Sequence, residues 1–231
     1  DVNSSGRSIK GVEVEINGDT WFFSADTFIL SAGAINTPII LLNSKSSIHP
    51  KGLGNSSNQV GKNLMNLQMT CILQRSNKST SGYFAKSLGI NDFYFGDKNV
   101  SVPLGHIQTG GGVLRDAFFA ESPPVLSLIT KLIPDFGIKR LAKRSISWWA
   151  MTEVLPDQEN EVIIKNDKVR INYLHNNLEA HDRLVYRWLD TLKEMEKNRG
   201  CLSISKTPTH PRGLAPFSVI GYACGTCKMG N

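Results

Sequence analysis

The run TFILSAGAINTPIILLNS, Thr27–Ser44, joins two halves of different character. TFILSAG, Thr27–Gly33, reads as a short, fully apolar strand that ends on the small residues Ala32 and Gly33. From Ala34 the apolar residues fall at helical spacing, and Pro38 is expected in the first turn, where a proline costs no hydrogen bond. The unit is therefore strand, small-residue turn, helix start. Such a turn lets a ligand approach the backbone, and the start of a helix favours an anion. The same letters also fit an ordinary strand-to-helix connection.

Upstream, GVEVEINGDTWFF alternates apolar and polar residues on both sides of Asn17-Gly18, a strong hairpin signal. Downstream lie a polar loop, SKSSIHPKGLGNSSNQ, and then VGKNLMNLQMT. NDFYFG and SVPLGHIQTG read as strand-like. SPPVLSLITKLIPDFGIKRLAKRS pairs apolar clusters with Lys131, Lys139, Arg140, Lys143 and Arg144. It could lie on a membrane surface or act as a lid. A helical excursion packed on its own domain is the favoured reading, because Pro134 and Gly137 interrupt any long helix.

SISWWAMTEVL, NEVIIKN and KVRINY read as consecutive antiparallel strands, with turn chemistry at Pro156-Asp157 and Asn166-Asp167. NNLEAHDRLVYRWLDTLKEMEKNRG is the clearest helix. Asn176 and Glu179 form a capping box, and Leu184, Val185, Trp188, Leu189, Leu192 and Met195 make one apolar stripe. Gly200 supplies the stop. His175 and His181 are expected at the surface or the cap rather than as metal ligands, since no acidic or thiol partner sits at a matching offset.

The 231 residues are 40% hydrophobic and 20% charged, enough for a sizeable core in one large domain or two lobes. The formal charge of +6 is scattered, with no basic stripe interleaved with aromatics, so nucleic acid is not an expected partner. Cys71, Cys201, Cys224 and Cys227 are too few for a disulfide scaffold, so a reducing, cytoplasmic setting is expected. No run approaches the roughly 18–20 apolar residues of a membrane span. Asn3, Asn55 and Asn77 each begin a glycosylation sequon, a pattern that arises readily by chance in an Asn/Ser-rich chain. Opening on strand-like sequence without a starting Met, the chain is expected to be a piece of a longer protein. Near the other end, GYACGTCKMGN places Cys224 and Cys227 in a C-x-x-C. That pair fits a thiol-redox site, half a zinc site, or a plain backbone turn.

Four stretches together resemble the glucose–methanol–choline (GMC) flavin oxidoreductases. FILSAGAINTPIILLNS is similar to that family's second signature, and VGKNLMN resembles its V-G-R-N-L motif. MTEVLPDQENEVIIKNDKVRINY resembles its substrate-domain hairpin, with the pattern E-x-x-P-x-x-x-N. YACGTCKMG resembles its H-x-x-G-T-C-R-M-G turn. The order is the family's, and the resemblance runs from about Gly11 to Gly230.

The resemblance implies an FAD-dependent oxidoreductase of small-molecule alcohols or sugars. The implied fold is α/β (α+β overall). Part of a doubly wound FAD domain, residues 1–74 and 213–231, would accompany a substrate domain, 75–212, built on an antiparallel sheet. It also implies that Ser31, Ala32 and Gly33 line the FAD site, and that Tyr222, Ala223, Cys224, Gly225 and Thr226 approach the flavin ring. The C-x-x-C is then part of a turn, no metal is expected, and the thiol-redox reading falls behind. Three departures bear on activity. No G-x-G-x-x-G occurs in the chain, the family's C-terminal end is expected to be missing after Asn231, and Tyr222 occupies the position of the family's histidine base. A phenol ordinarily titrates near pH ~10, too high for a base at neutral pH. A catalytically impaired relative serving as a binding or structural module is therefore the alternative.

Overall fold

The computed structural model describes residues 2–75, 79, 86–98, 102–112, 134–199, 202–206, 217 and 221–229. They form helices and antiparallel sheets, a mixed α+β architecture. The chain divides into two compact units. One contains Asp1–Met65, Pro156–Leu174 and Tyr222–Asn231; the other contains Asn66–Leu155 and His175–Gly221.

The first unit opens on a hairpin, β1 (Val12–Ile16) and β2 (Asp19–Phe23), with Val12 opposite Phe23 and Ile16 opposite Asp19. Asn17 takes φ 55° and Gly18 φ 89°, the left-handed pair that a two-residue hairpin turn requires. Helix α1 (Gly33–Asn43) follows. Residues 24–31 are not a strand, contrary to the alternation-free reading of Thr27–Leu30. A buried strand exists only where neighbours pair its backbone, and among the described residues none pairs here. Ile29 is accordingly 86% exposed. Pro38 stands in the second turn of α1, not the first, because the helix already begins at Gly33.

In the second unit five strands form one antiparallel sheet. They are β3 (Gln68–Arg75), β4 (Gly89–Ile90), β5 (His106–Gly112), β6 (Ser145–Thr152) and β9 (Leu202–Lys206), in the order β4-β5-β6-β3-β9. Helix α2 (Asp135–Ala142) leads into β6. Of the amphipathic stretch SPPVLSLITKLIPDFGIKRLAKRS, α2 lies in the described part, and residues 122–133 lie outside the described residues. NDFYFG is a turn rather than a strand, closed by the Tyr94 N–H on the Asn91 carbonyl and the Gly96 N–H on the Phe93 carbonyl. Strand β6 lies at the centre of the sheet, paired along its two edges with β3 and β5, so both sides of its backbone are hydrogen-bonded.

The two strands after β6, β7 (Glu161–Lys165) and β8 (Lys168–Asn172), pair only with each other among the described residues and belong to the first unit. They therefore do not continue the β6 sheet as the consecutive-strand reading expected. Helix α3 (Leu178–Arg199) lays its stripe on the sheet. Leu184, Val185, Trp188 and Leu192 are buried against Ile72, Ile107, Trp148 and Ala150, with the Trp148 and Trp188 rings edge to face at 4.6 Å.

The capping box is not formed. Asn176 Oδ1 instead accepts from the Leu155 N–H, and its Nδ2 donates to the Leu155 carbonyl, tying the chain before the helix to the end of the β6 segment. His181 is a core residue, 1% exposed, rather than a surface one. Its Nδ1 meets Thr152 Oγ1 at 2.9 Å and its Nε2 meets Thr70 Oγ1 at 2.8 Å. Thr152 spends its hydroxyl proton on the Leu104 carbonyl at 2.7 Å, so the ring proton belongs on Nδ1.

Candidate functional site

Within the first unit, the start of α1 and the Ala223–Lys228 segment face one cleft of about 630 Å³. Gly33, Ala34, Thr37, Asn63, Met65, Ala223, Cys224, Gly225, Thr226, Cys227 and Lys228 contribute to its wall, with Pro156. No carboxylate is among these residues. Of the residues singled out from sequence, Gly33, Ala223, Cys224, Gly225 and Thr226 come together here. Ser31, Ala32 and Tyr222 are not part of the lining, and the Tyr222 ring is 59% exposed.

The local chemistry of α1 explains why the distant segment docks. An interior proline has no N–H to offer the carbonyl four residues earlier. Pro38 thus leaves the Ala34 carbonyl without its helical partner. Thr226 Oγ1 donates to that carbonyl at 2.6 Å, from 192 residues away, and Thr226 is 2% exposed. The second attachment runs through the VGKNLMN segment. The Gly61 N–H donates to the Thr226 carbonyl at 2.7 Å, and Met65 and Cys224 exchange two backbone bonds at 2.9 Å. Between them, Gly225 takes φ +92°, and a Cβ built there would stand 2.1 Å from the Asn63 carbonyl oxygen. Only glycine permits that approach.

Two anchors in this unit were not anticipated. Asn160 is 0% exposed. Its Nδ2 donates to the Leu174 carbonyl, its Oδ1 accepts from the Leu174 N–H, and its carbonyl accepts from the Leu64 N–H. It thereby ties the β7–β8 hairpin to the VGKNLMN segment. Lys62 pairs with Glu161 across the same contact. The signal for Asn160 was present as the Asn of P-x-x-x-N in the stretch that resembles the family's hairpin, but that pattern names no contact for it. The Pro38–Thr226 link had no local signal, since it needs the fold to meet.

The helix start itself is bare. Ala32 makes no side-chain cap bond and the first turn holds no acidic residue, though the Ala32 N–H is taken by Thr37 Oγ1. Gly33 has φ +79°, and a Cβ there would meet nothing within 4 Å. The turn thus opens onto empty space at the positive end of a helix. Cys224 and Cys227 are free thiols. Burial pushes the Cys227 thiol up from its ordinary pKa, with Thr226 pulling weakly the other way. That is the reverse of the depressed thiolate a redox C-x-x-C presents.

No protein-family profile matches the chain. Over 148 residues the chain is 28% identical to the fructose dehydrogenase large subunit of Gluconobacter japonicus, a stretch covering 62% of this chain and 26% of that protein. The chain thus spans about a quarter of that relative's length. The likeness is distant and supports an oxidoreductase-related role at that coarse level. Among the described residues no helix is long and apolar enough to cross a membrane.

Proposed function

We propose that the chain is part of an FAD-dependent oxidoreductase of the GMC type, acting on the CH–OH group of an alcohol or sugar. One observation carries the reading. The two stretches that resemble flavin-contacting signatures lie far apart in sequence, yet they wall a single cleft and are joined by the Thr226–Ala34 bond. The distant likeness to a dehydrogenase subunit points the same way.

The residues present fit one end of such a cofactor. An uncapped helix start with no acid in its first turn offers N–H groups to an anion, and the space over Gly33 leaves room for it. Gly33, Ala34 and the Ala223–Thr226 backbone would hold the group. When bound, FAD supplies hydride acceptance from the substrate carbon. Thr226 keeps the turn seated on α1, and Lys228 adds positive charge to a wall without carboxylates. Tyr222 adjoins the turn in sequence, and on this reading its hydroxyl would hydrogen-bond a substrate alcohol.

The second reading, a GMC-like protein impaired in catalysis, draws on Tyr222. Its ring is exposed and is not part of the cleft lining. Positioned acid–base groups contribute about 10²–10⁴-fold. On the main reading, the complete protein that contains this chain purifies yellow. Its flavin bleaches anaerobically with some member of a panel of alcohols and sugars that includes fructose. Tyr222→His then accelerates the bleaching. A colourless complete protein would sink the flavin reading. A yellow one that no substrate bleaches would select the impaired relative.

A further inference from the structure

We propose that the cleft of the first unit is a binding site for a soft monovalent metal ion of the Cu(I) class, held by Cys224, Cys227 and Met65. The proposal does not rest on the flavin reading. Three sulfur side chains belong to residues that wall the same cleft, and both thiols are free and exposed. Met65 is fixed beside the pair by its two backbone bonds to Cys224. Its terminal methyl lies 2.8 Å from where a Gly225 Cβ would stand, so the end of the Met65 side chain lies against the glycine that follows Cys224.

The donor set selects the ion. Thiolate and thioether ligands favour Cu(I), whereas Mg²⁺, Ca²⁺ and Mn²⁺ want oxygen donors. The lining residues include no carboxylate and no imidazole, and among the described residues no group of three His, Cys, Asp or Glu side chains is placed to hold a metal. Zinc would therefore have to complete its shell with water. The backbone around the pair is already set. Cys224 is bonded through both its N–H and its carbonyl, Gly225 is wedged against Asn63, and Thr226 is held through its hydroxyl and its carbonyl. Lys228 is the charged residue of the wall and would offset the negative bis-thiolate complex.

Binding exchanges protons for metal. Two thiols and one Cu(I) give a bis-thiolate complex of charge −1 and two released protons, with no change of oxidation state. Spacing among cysteines and histidines did not reveal this site, because its third sulfur is a methionine from a distant loop.

The experiment titrates the reduced chain anaerobically with Cu(I) buffered by a coloured Cu(I) chelator, with Zn(II) in parallel. One equivalent of Cu(I) should be withdrawn, with proton release, while Zn(II) binds at least about 100-fold more weakly. Cys224→Ser and Cys227→Ser should each abolish the withdrawal. Met65→Leu should weaken it about 10- to 100-fold, the scale of supporting groups at metal sites. A measurement that needs no variant is alkylation of the native chain read by peptide mass spectrometry. Cu(I) should protect Cys224 and Cys227 together. Protection of neither thiol, or Cu(I) uptake unchanged in the Cys224→Ser/Cys227→Ser variant, would overturn the proposal. So would Zn(II) binding as tightly as Cu(I).

Discussion

Pro38 removes a donor from α1, and Thr226 supplies one from the other side of the sequence. Thr226→Val leaves the Ala34 carbonyl unpartnered and should cost about 1–3 kcal/mol of unfolding free energy. In a Pro38→Ala background the helix regains its own N–H, so the same change should cost about 1 kcal/mol less. Urea unfolding of the four proteins measures this, and equal costs in both backgrounds would refute the link. The two glycines of the site separate in the same way. Gly225→Ala meets a backbone oxygen at 2.1 Å and should cost about 3 kcal/mol or more. Gly33→Ala meets only its own φ of +79° and should cost about 1 kcal/mol. Gly33 and Gly225 stood out in the sequence as members of small-residue turns. What each excludes was not legible there, because the Asn63 carbonyl reaches Gly225 only through tertiary packing.

Periodicity identified α3 and its buried face, because six apolar residues at helical spacing leave one stripe to cover. Leu192→Ala should cost about 2–5 kcal/mol, read as a fall in the denaturation midpoint. Periodicity could not say what the ends of that helix would touch. Asn176 fits a cap by spacing, but the end of the β6 segment offered the Leu155 backbone instead. His181 lies on the buried side, where two threonines from separate strands satisfy both ring nitrogens. The Thr27–Leu30 run failed as a strand for a related reason, since pairing belongs to the sheet and not to the segment. Near the same helix start, burial holds the His175 pKa below its ordinary value. The folded chain therefore takes up this proton less readily than the unfolded chain. The contribution is intact above the usual histidine pKa and declines as pH falls below it. Unfolding midpoints at pH 7.5 and 5.5 should differ less in His175→Gln than in the native chain.

At the scale of the whole chain, the α+β character and the run of motifs were legible because each motif is local. How segments sort into compact units was not. Pro156–Leu174 joins the first unit through Asn160, Lys62 and Glu161, contacts that no local pattern announces. The wall of the cleft offers one bare helix start to an anion, and the sequence holds no G-x-G-x-x-G. The purified 231-residue chain should therefore emerge from gel filtration without stoichiometric flavin absorbance, and a yellow chain would contradict this. The Thr226–Ala34 bond also puts the cleft on a clock. The 192 residues between its partners take about 10–40 s to synthesise at about 5–20 residues per second. Throughout that interval α1 exists on the ribosome with its Ala34 carbonyl still answered only by water. The second unit has its sheet strands and α3 in hand before the first unit receives its closing turn. The cleft waits on Thr226, so a nascent chain stalled before that residue should carry an unfinished site.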